Sequence, residues 1–231
     1  MLETLRAGLA EWNLDAGQAE PLAEYARLLL EKNRVMNLTA ITEQRAVAQL
    51  HLLDSAALLS AANFGGKRVI DVGTGAGLPG IPLRILRSDF DLTLLDSLGK
   101  RVTFLQEVCD AMALPRVTCV HARAEEFAAA HREGFDLAVS RAVASLNILC
   151  ELCLPLLAPG GHFLAMKSVG SDDEIEGADH AIQTLGGTLR EVRDYTIPTS
   201  DVRHRIVVIE KTGHTPNTYP RIFAKIKKNP L

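Results

Sequence analysis

Two hydrophobic periodicities divide this chain. Up to about residue 62 the apolar positions recur at helical spacing, with Leu22, Tyr25, Ala26 and Leu29 at i, i+3, i+4 and i+7 behind Pro21, a residue suited to a helix's first turn. A further helix is expected to begin after Thr42, a plausible N-cap, and to run through Val47, Leu50 and Leu58. From Arg68 onward short aliphatic and β-branched runs alternate with helical stretches, which is the order of a parallel α/β sheet. The runs Arg68–Val72, Asp91–Asp96, Val117–His121, Phe135–Val139 and Gly161–Met166 read as strands, and two more fall within 188–198 and 203–211. The last two leave too little chain between them for a crossover helix, so they predict an antiparallel hairpin at one sheet edge. The expected fold class is α/β: a doubly wound, Rossmann-like sheet, mostly parallel, with an antiparallel C-terminal edge hairpin and a prelude of N-terminal helices. The corresponding division is a helical extension over 1–62, a core over 63–212 and a C-terminal tail over 213–231.

The first strand breaks into Gly73-Thr74-Gly75-Ala76-Gly77-Leu78-Pro79-Gly80, and the second ends in Asp96, 23 residues after Gly73. Lacking a Cβ, the glycines can take positive φ and let a ligand lie against bare backbone amides at a helix start. A carboxylate at the end of the second strand can accept both hydroxyls of a ribose. The pattern therefore reads as a nucleotide-cofactor site. The spacing G-x-G-x-G departs from the G-x-G-x-x-G of dinucleotide folds, and Asp71, two residues before Gly73, would repel a pyrophosphate. A positive sulfonium with an amino acid tail suits that acid better, so S-adenosylmethionine is preferred to NAD. A closing antiparallel hairpin is likewise typical of methyltransferases rather than dehydrogenases. Strand ends share one edge of such a sheet, so Gly73, Asp96, residues 123–125, Arg141 and Lys167 are expected to converge in one cleft.

Composition narrows the setting. With 231 residues, 47% hydrophobic and 23% charged, the chain suits one globular domain with a good core. Neither a leader pattern nor an apolar run of membrane-spanning length is visible, and the four cysteines do not form a disulfide framework, so a reducing, cytoplasmic setting without membrane partners is expected. Cys150 and Cys153 fall on the apolar stripe of a helical pattern with no Cys/His pair to accompany them, and no metal site is expected. The net charge of −3 is unevenly spread: from Arg203 to Leu231 seven Lys/Arg face one Glu, a net of +6 against −9 for the rest. A short basic arm on an acidic body suggests local contact with phosphates, to which a solvated terminal face is the alternative.

Beyond these features the chain resembles, over nearly its whole length, the bacterial 16S ribosomal RNA guanine-N7 methyltransferases, also known as glucose-inhibited division protein B. The resemblance rests on Asn37-Leu38-Thr39-Ala40-Ile41, His51-Leu52-Leu53-Asp54-Ser55, the run from Asp71 to Pro82, Asp96-Ser97 with Lys100-Arg101, Arg123-Ala124-Glu125, Ser140-Arg141-Ala142 and Tyr219-Pro220-Arg221. It departs from the family at Lys167-Ser168, where Lys-Gly is common, and at Ile222-Phe223-Ala224, where a glycine often follows. The resemblance implies contacts to S-adenosyl-L-methionine at Gly73, Leu78, Ala124, Glu125 and Arg141, and methylation of one guanine near the decoding region of the small-subunit RNA. Asp71, Gly75, Gly77 and Asp96 join the cofactor set from the loop argument. Arg123, Lys100, Arg101, Lys167, Arg203 and Arg221 are the candidate RNA contacts, with Lys225, Lys227 and Lys228 behind them. The expected partner is 16S rRNA within the small ribosomal subunit or its precursor.

Guanine N7 presents an in-plane lone pair and has no proton to lose, so its methylation needs no general base. Holding N7, methyl carbon and sulfur in line can itself supply roughly 7–11 kcal/mol. The fourth strand ends in Ser140-Arg141-Ala142 rather than the Asn/Asp-Pro-Pro-aromatic motif of exocyclic-amine methylation, and no cysteine stands ready as a nucleophile for pyrimidine carbon. No catalytic residue is therefore required. Arg123 and Arg141 are candidates for holding phosphate or the cofactor carboxylate, against a purely structural pairing with Glu125 or Asp96. His51 and Asp54, at i and i+3, read as a capping or packing pair. Aromatic content of 5% argues against a base-stacking platform, so RNA recognition is expected to depend on shape and phosphate. The alternatives are a methyltransferase for another RNA, a small molecule or a protein, an NAD-dependent enzyme, and a nucleotide-sensing module.

Overall fold

Seven strands form a single sheet in the computed structural model, which describes residues 1–231. They are β1 (Arg68–Val72), β2 (Asp91–Asp96), β3 (Val117–His121), β4 (Phe135–Arg141), β5 (Leu157–Ser168), β6 (Gly187–Thr196) and β7 (Arg203–Lys211), in the order β3-β2-β1-β4-β5-β7-β6. The first five are parallel to their neighbours, and β7 runs antiparallel between β5 and β6. The expected fold class holds, edge hairpin included. Sequence reading shortens β5: Pro159 and Gly160 look like breakers, yet Leu157 still pairs with Phe135 because a bulge between Phe135 and Leu137 takes up the irregular register.

Before the sheet come α1 (Leu2–Glu11), α2 (Ala19–Met36) and α3 (Gln44–Val47). The last continues through a π-helical stretch (Ala48–Leu53), α4 (Asp54–Ala56) and a 3-10 turn (Ala57–Ser60). The cap of α3 is Glu43 rather than Thr42, its carboxylate accepting from the amides of Arg45 and Ala46 at 2.9 and 2.6 Å. A longer acidic side chain one residue later reaches two orphan amides and favours the helix dipole as well. Between and after the strands lie α5 (Gly80–Leu86), α6 (Gly99–Ala111), α7 (Ala124–His131), α8 (Leu146–Cys153), α9 (Asp172–Glu176), α10 (Asp179–Thr184) and α11 (Phe223–Lys228).

Right-handed crossovers fix which helix covers which face. The chain steps outward from β1 to β3 through α5 and α6, then crosses back to β4 and steps the other way, which puts α7 and α8 on the opposite face. Alternating side chains feed both layers: Val69, Leu92, Leu137, Val139, Leu164 and Val208 face the core that α5 and α6 join, while Ile70, Leu95, Ala138, Phe163, Ala165 and Val207 face the core of α8, α10 and α11. That wiring leaves the first face bare over β4, β5 and β7. Leu5 and Leu9 of α1, Leu22, Tyr25 and Leu29 of α2, and Leu52 and Leu53 of the π-helical stretch cover it and join the same core. The N-terminal helices are thus the missing layer over the sheet.

The basic tail is tied down. Glu151, wholly buried on α8, accepts from the backbone amide, Nε and Nη2 of Arg221 at 2.8, 2.8 and 2.6 Å. Ile226 of α11 is buried against the α8 layer, and Asn147 Nδ2 donates to the carbonyl of Leu231 at 3.1 Å. Arg221→Ala would leave Glu151 as a buried charge without its partner, and the expected loss is about 3 kcal/mol of folding stability, measured by denaturant unfolding. An unchanged midpoint would return Arg221 to the role of a free surface cation.

Candidate functional site

The carboxyl ends of β1 and β4 meet where the strand order reverses, the place at which open α/β sheets hold ligands. Here β1 gives way to the loop Gly73–Pro79 before α5. Gly73 has a φ of +72° and Gly77 one of +101°. A Cβ at Gly77 would stand 2.4 Å from Ile81 Cδ1, and one at Gly73 would stand 2.6 Å from Val143 Cγ2. Conformation and crowding together require glycine at both positions.

Two carboxylates brace this loop. Asp71 Oδ2 accepts from Thr74 Oγ1 at 2.7 Å and from the amide of Gly80 at 2.9 Å. Asp96 Oδ2 accepts from the amide of Gly75 at 2.9 Å, and its Oδ1 from the amide of Leu98 at 2.9 Å. From the N-terminal layer, the Tyr25 hydroxyl donates to the carbonyl of Ala76 at 2.8 Å. Asp71, counted in the cofactor set, lies fully buried beneath the loop as a brace. Burial raises its carboxyl to about 7, against the opposing pull of its two hydrogen bonds, and its Oδ1 has no protein donor.

Two cavities flank the junction rather than the single cleft expected. The first, about 160 Å³, is lined by Gly73, Asp96, Arg123, Ala124, Glu125 and Phe223, among others. It brings together the β1 glycine, the β2 acid and the β3 terminus, as the sequence predicts. Gly75 and Gly77 shape the loop, and Leu78 is buried in the core behind it. These residues fit a nucleoside with an amino acid tail: an acid ends β2, an orphaned carboxylate oxygen lies under the loop, and the glycine cradle has no Cβ. Val143 stands over Gly73 from the segment after β4.

The second cavity, about 500 Å³, lies on the β4 and β5 side, lined by His51, Asp54, Arg141, Met166, Lys167 and His204, among others. Its centre is Asp54, 1% exposed. Asp54 Oδ1 accepts from the Tyr195 hydroxyl at 2.7 Å and lies 2.8 Å from His204 Nδ1, while Oδ2 accepts from Arg141 Nη1 at 3.1 Å. Arg141 Nη1 also donates to the carbonyl of Leu50 at 2.8 Å, and Nη2 lies 3.3 Å from His51 Nδ1. His51 Nε2 in turn lies 2.8 Å from Thr39 Oγ1. Burial and the neighbouring Arg141 hold His51 down at about 4, so it is a neutral imidazole, its Nδ1 lying between Arg141 and the carbonyl of Leu50 at 3.1 Å. The hydrogen bond to Asp54 raises His204 above its ordinary value despite partial burial.

Arg141 therefore pairs with Asp54, not with Glu125 or Asp96, and the His51–Asp54 pair belongs to a cavity wall. Helical i, i+3 spacing could not reveal this, because the partners come from β4, β6 and β7. The stretch carrying His51 is π-helical, a distortion frequent at functional sites that the helical spacing of the sequence does not show.

The candidate RNA contacts separate into two groups. Lys100, Arg123, Lys225, Lys227 and Lys228 are exposed without a side-chain hydrogen bond, and Arg203 is exposed but lies 3.4 Å from Asp194 Oδ2. The others are engaged. Arg101 Nη1 lies 3.4 Å from Asp96 Oδ2, and Lys167 Nζ donates to the carbonyl of Ala144 at 2.8 Å and to Glu174 at 2.6 Å. Arg221 is bound to Glu151, and the Arg123 guanidinium lies 5.7 Å from the centre of the Phe223 ring. Cys150 and Cys153 are buried on α8, where desolvation pushes both thiols up.

No helix is long and apolar enough to cross a membrane. Similarity to known proteins agrees with the geometry. A family model described as rRNA small subunit methyltransferase G matches residues 18–203. Ribosomal RNA small subunit methyltransferase G of Alkaliphilus metalliredigens is 46% identical over 223 residues, spanning 95% of this chain and 93% of that protein. Among solved structures, TrmN from Thermus thermophilus has a TM-score of 0.53 at 23% identity, covering 68% of this chain and 48% of that one. M. jannaschii TYW2 in complex with AdoMet has a TM-score of 0.54 at 15% identity, covering 68% of this chain and 76% of that one. With a brace of carboxylates under the glycine loop and a relative matched almost end to end, the chain belongs to the rRNA small subunit methyltransferase G family.

Proposed function

We propose that this protein methylates N7 of a single guanine in 16S ribosomal RNA, using S-adenosyl-L-methionine, with the small ribosomal subunit or its precursor as substrate in the cytoplasm. The observation that carries the reading is the pair of cavities at the β1–β4 junction, one built from loop and acid, the other from hydrogen-bond donors. Val143 lines the first and Arg141 and Ala142 the second, so a short stretch after β4 is shared by both.

S-adenosylmethionine supplies a methyl group on a positive sulfur. On the first side, Asp96 is the acceptor for ribose hydroxyls, and Gly73 lines the cavity with its amide given to the carbonyl of Leu95 at 2.9 Å. On the second side, the Hoogsteen edge of guanine presents two acceptors, O6 and N7. Arg141, and His204 when its imidazole is protonated, are donors suited to O6, leaving N7 free to attack. No carboxylate or imidazole there is available as a strong base: Asp54 already faces three partners, and His51 is too weak at about 4. This suits a nucleophile with no proton to remove. Asp54 also keeps a negative charge beside the cavity while positive charge passes from sulfur to guanine. Exposed Lys100 and the α11 lysines lie outside the cavities and suit RNA phosphates.

Incubating small subunits that lack the modification with labelled S-adenosylmethionine is expected to label one guanine, at N7, with naked short oligonucleotides reacting poorly. Label on an exocyclic amine, or efficient reaction of a short unstructured RNA, would overturn the assignment. A second expectation concerns His204. Its folded pKa is raised, so its pairing with Asp54 stabilises the fold fully below the unfolded value and loses that contribution as pH rises through the folded value. The difference in unfolding midpoint between wild type and His204→Ala should be widest below the ordinary histidine range and shrink as pH rises through the raised folded value. A difference independent of pH would contradict the ion pair.

A further inference from the structure

The tail does not behave as a loose basic arm. It runs as a strap across α7 and α8. Arg132 Nη1 donates to the carbonyl of Tyr219 at 2.8 Å, Arg221 is locked on buried Glu151, and Ile226 is buried. Between these anchors the strap meets the first cavity. Phe223 lines it, the amide of Phe223 donates to Glu125 Oε1 at 3.2 Å, and Arg123 faces the ring. Glu125 and Arg123 come from the β3 terminus and the start of α7, on the far side of Asp96 from Gly73 along the edge.

An acid ending β2 takes the ribose, so the base of a bound nucleoside lies beyond it, toward β3. We infer that the C-terminal strap is a structural wall of the methyl-donor pocket, with the Phe223 ring as the aromatic surface for the adenine. This rests on the methyl-donor reading of that pocket and adds a residue from outside the strand ends that build the rest of it. Aromatic rings are sequence-tolerant partners for a purine face, and one such contact is commonly worth about ten-fold or more in affinity. The strap also fixes Glu125, whose carboxylate is held by the Phe223 amide. Its exposed neighbours Lys225, Lys227 and Lys228 then place the cofactor wall and a cationic surface on one short helix.

Calorimetry with S-adenosylhomocysteine on the full chain tests this. Phe223→Ala should weaken binding about ten-fold and Phe223→Leu nearly as much, while Phe223→Trp should restore it. Ile222→Ala, at an exposed position outside the cavity, should bind as wild type. Trp12 is the only tryptophan, so in a Trp12→Phe background the indole introduced by F223W is the sole reporter, and S-adenosylhomocysteine should quench it. If the wild type binds but Phe223→Ala binds equally well, or the indole does not respond, the strap is not part of the pocket. If the wild type itself fails to bind, the methyl-donor reading falls first. Should Phe223→Ala unfold, the fluorescence of the F223W variant still decides.

Discussion

Asp96 is the acceptor around which the cofactor edge is organised. Its two oxygens take the amides of Gly75 and Leu98, one in the glycine loop and one at the entrance to α6, while Arg101 approaches from the same helix. Asp71 does the complementary work beneath the loop, joining Thr74 to the first amide of α5. A loop of glycines has large conformational freedom to lose, and the hydrogen bonds it donates to buried Asp71 and Asp96 offset part of it. The cradle is thereby set before any ligand arrives, which lowers the ordering cost of binding.

The same economy appears on the other side of the junction. Crossover handedness leaves one face of β4, β5 and β7 without cover, and the N-terminal helices fill it. In doing so they bring Asp54 and His51 to Arg141 and His204, groups contributed by elements far apart in the chain. A buried carboxylate facing three partners is stable only while all are in place, so the layer that completes the core also fixes the shape of the second cavity. Tyr25 extends the link to the glycine loop itself.

Much of this was legible in residue order, because strands and glycine turns are local. β1, β2 and β3 have the bounds their aliphatic runs suggest, and Gly73, Asp96 and residues 123–125 meet in one cavity as strand-end logic requires. What sequence could not give was pairing between distant elements. Arg221 and Lys167 look like RNA-binding cations until Glu151 and Glu174 are seen beside them, and Asp71 looks like a ligand contact until its burial is known. His51 and Asp54 carry too little local pattern to distinguish a packing pair from a cavity wall. Charge counting has the same weakness, since it treats the tail's cations alike although Arg221 is bound and the α11 lysines are exposed.

The account depends on a carboxylate at the end of β2 holding a ribose-bearing methyl donor at the β1–β2 edge, and calorimetry of S-adenosylhomocysteine with Asp96→Ala tests it most directly. Loss of hydrogen bonds to a charged acceptor predicts a weakening of about 1–3 kcal/mol, with circular dichroism unchanged. An affinity equal to that of the wild type would mean that the donor is held elsewhere.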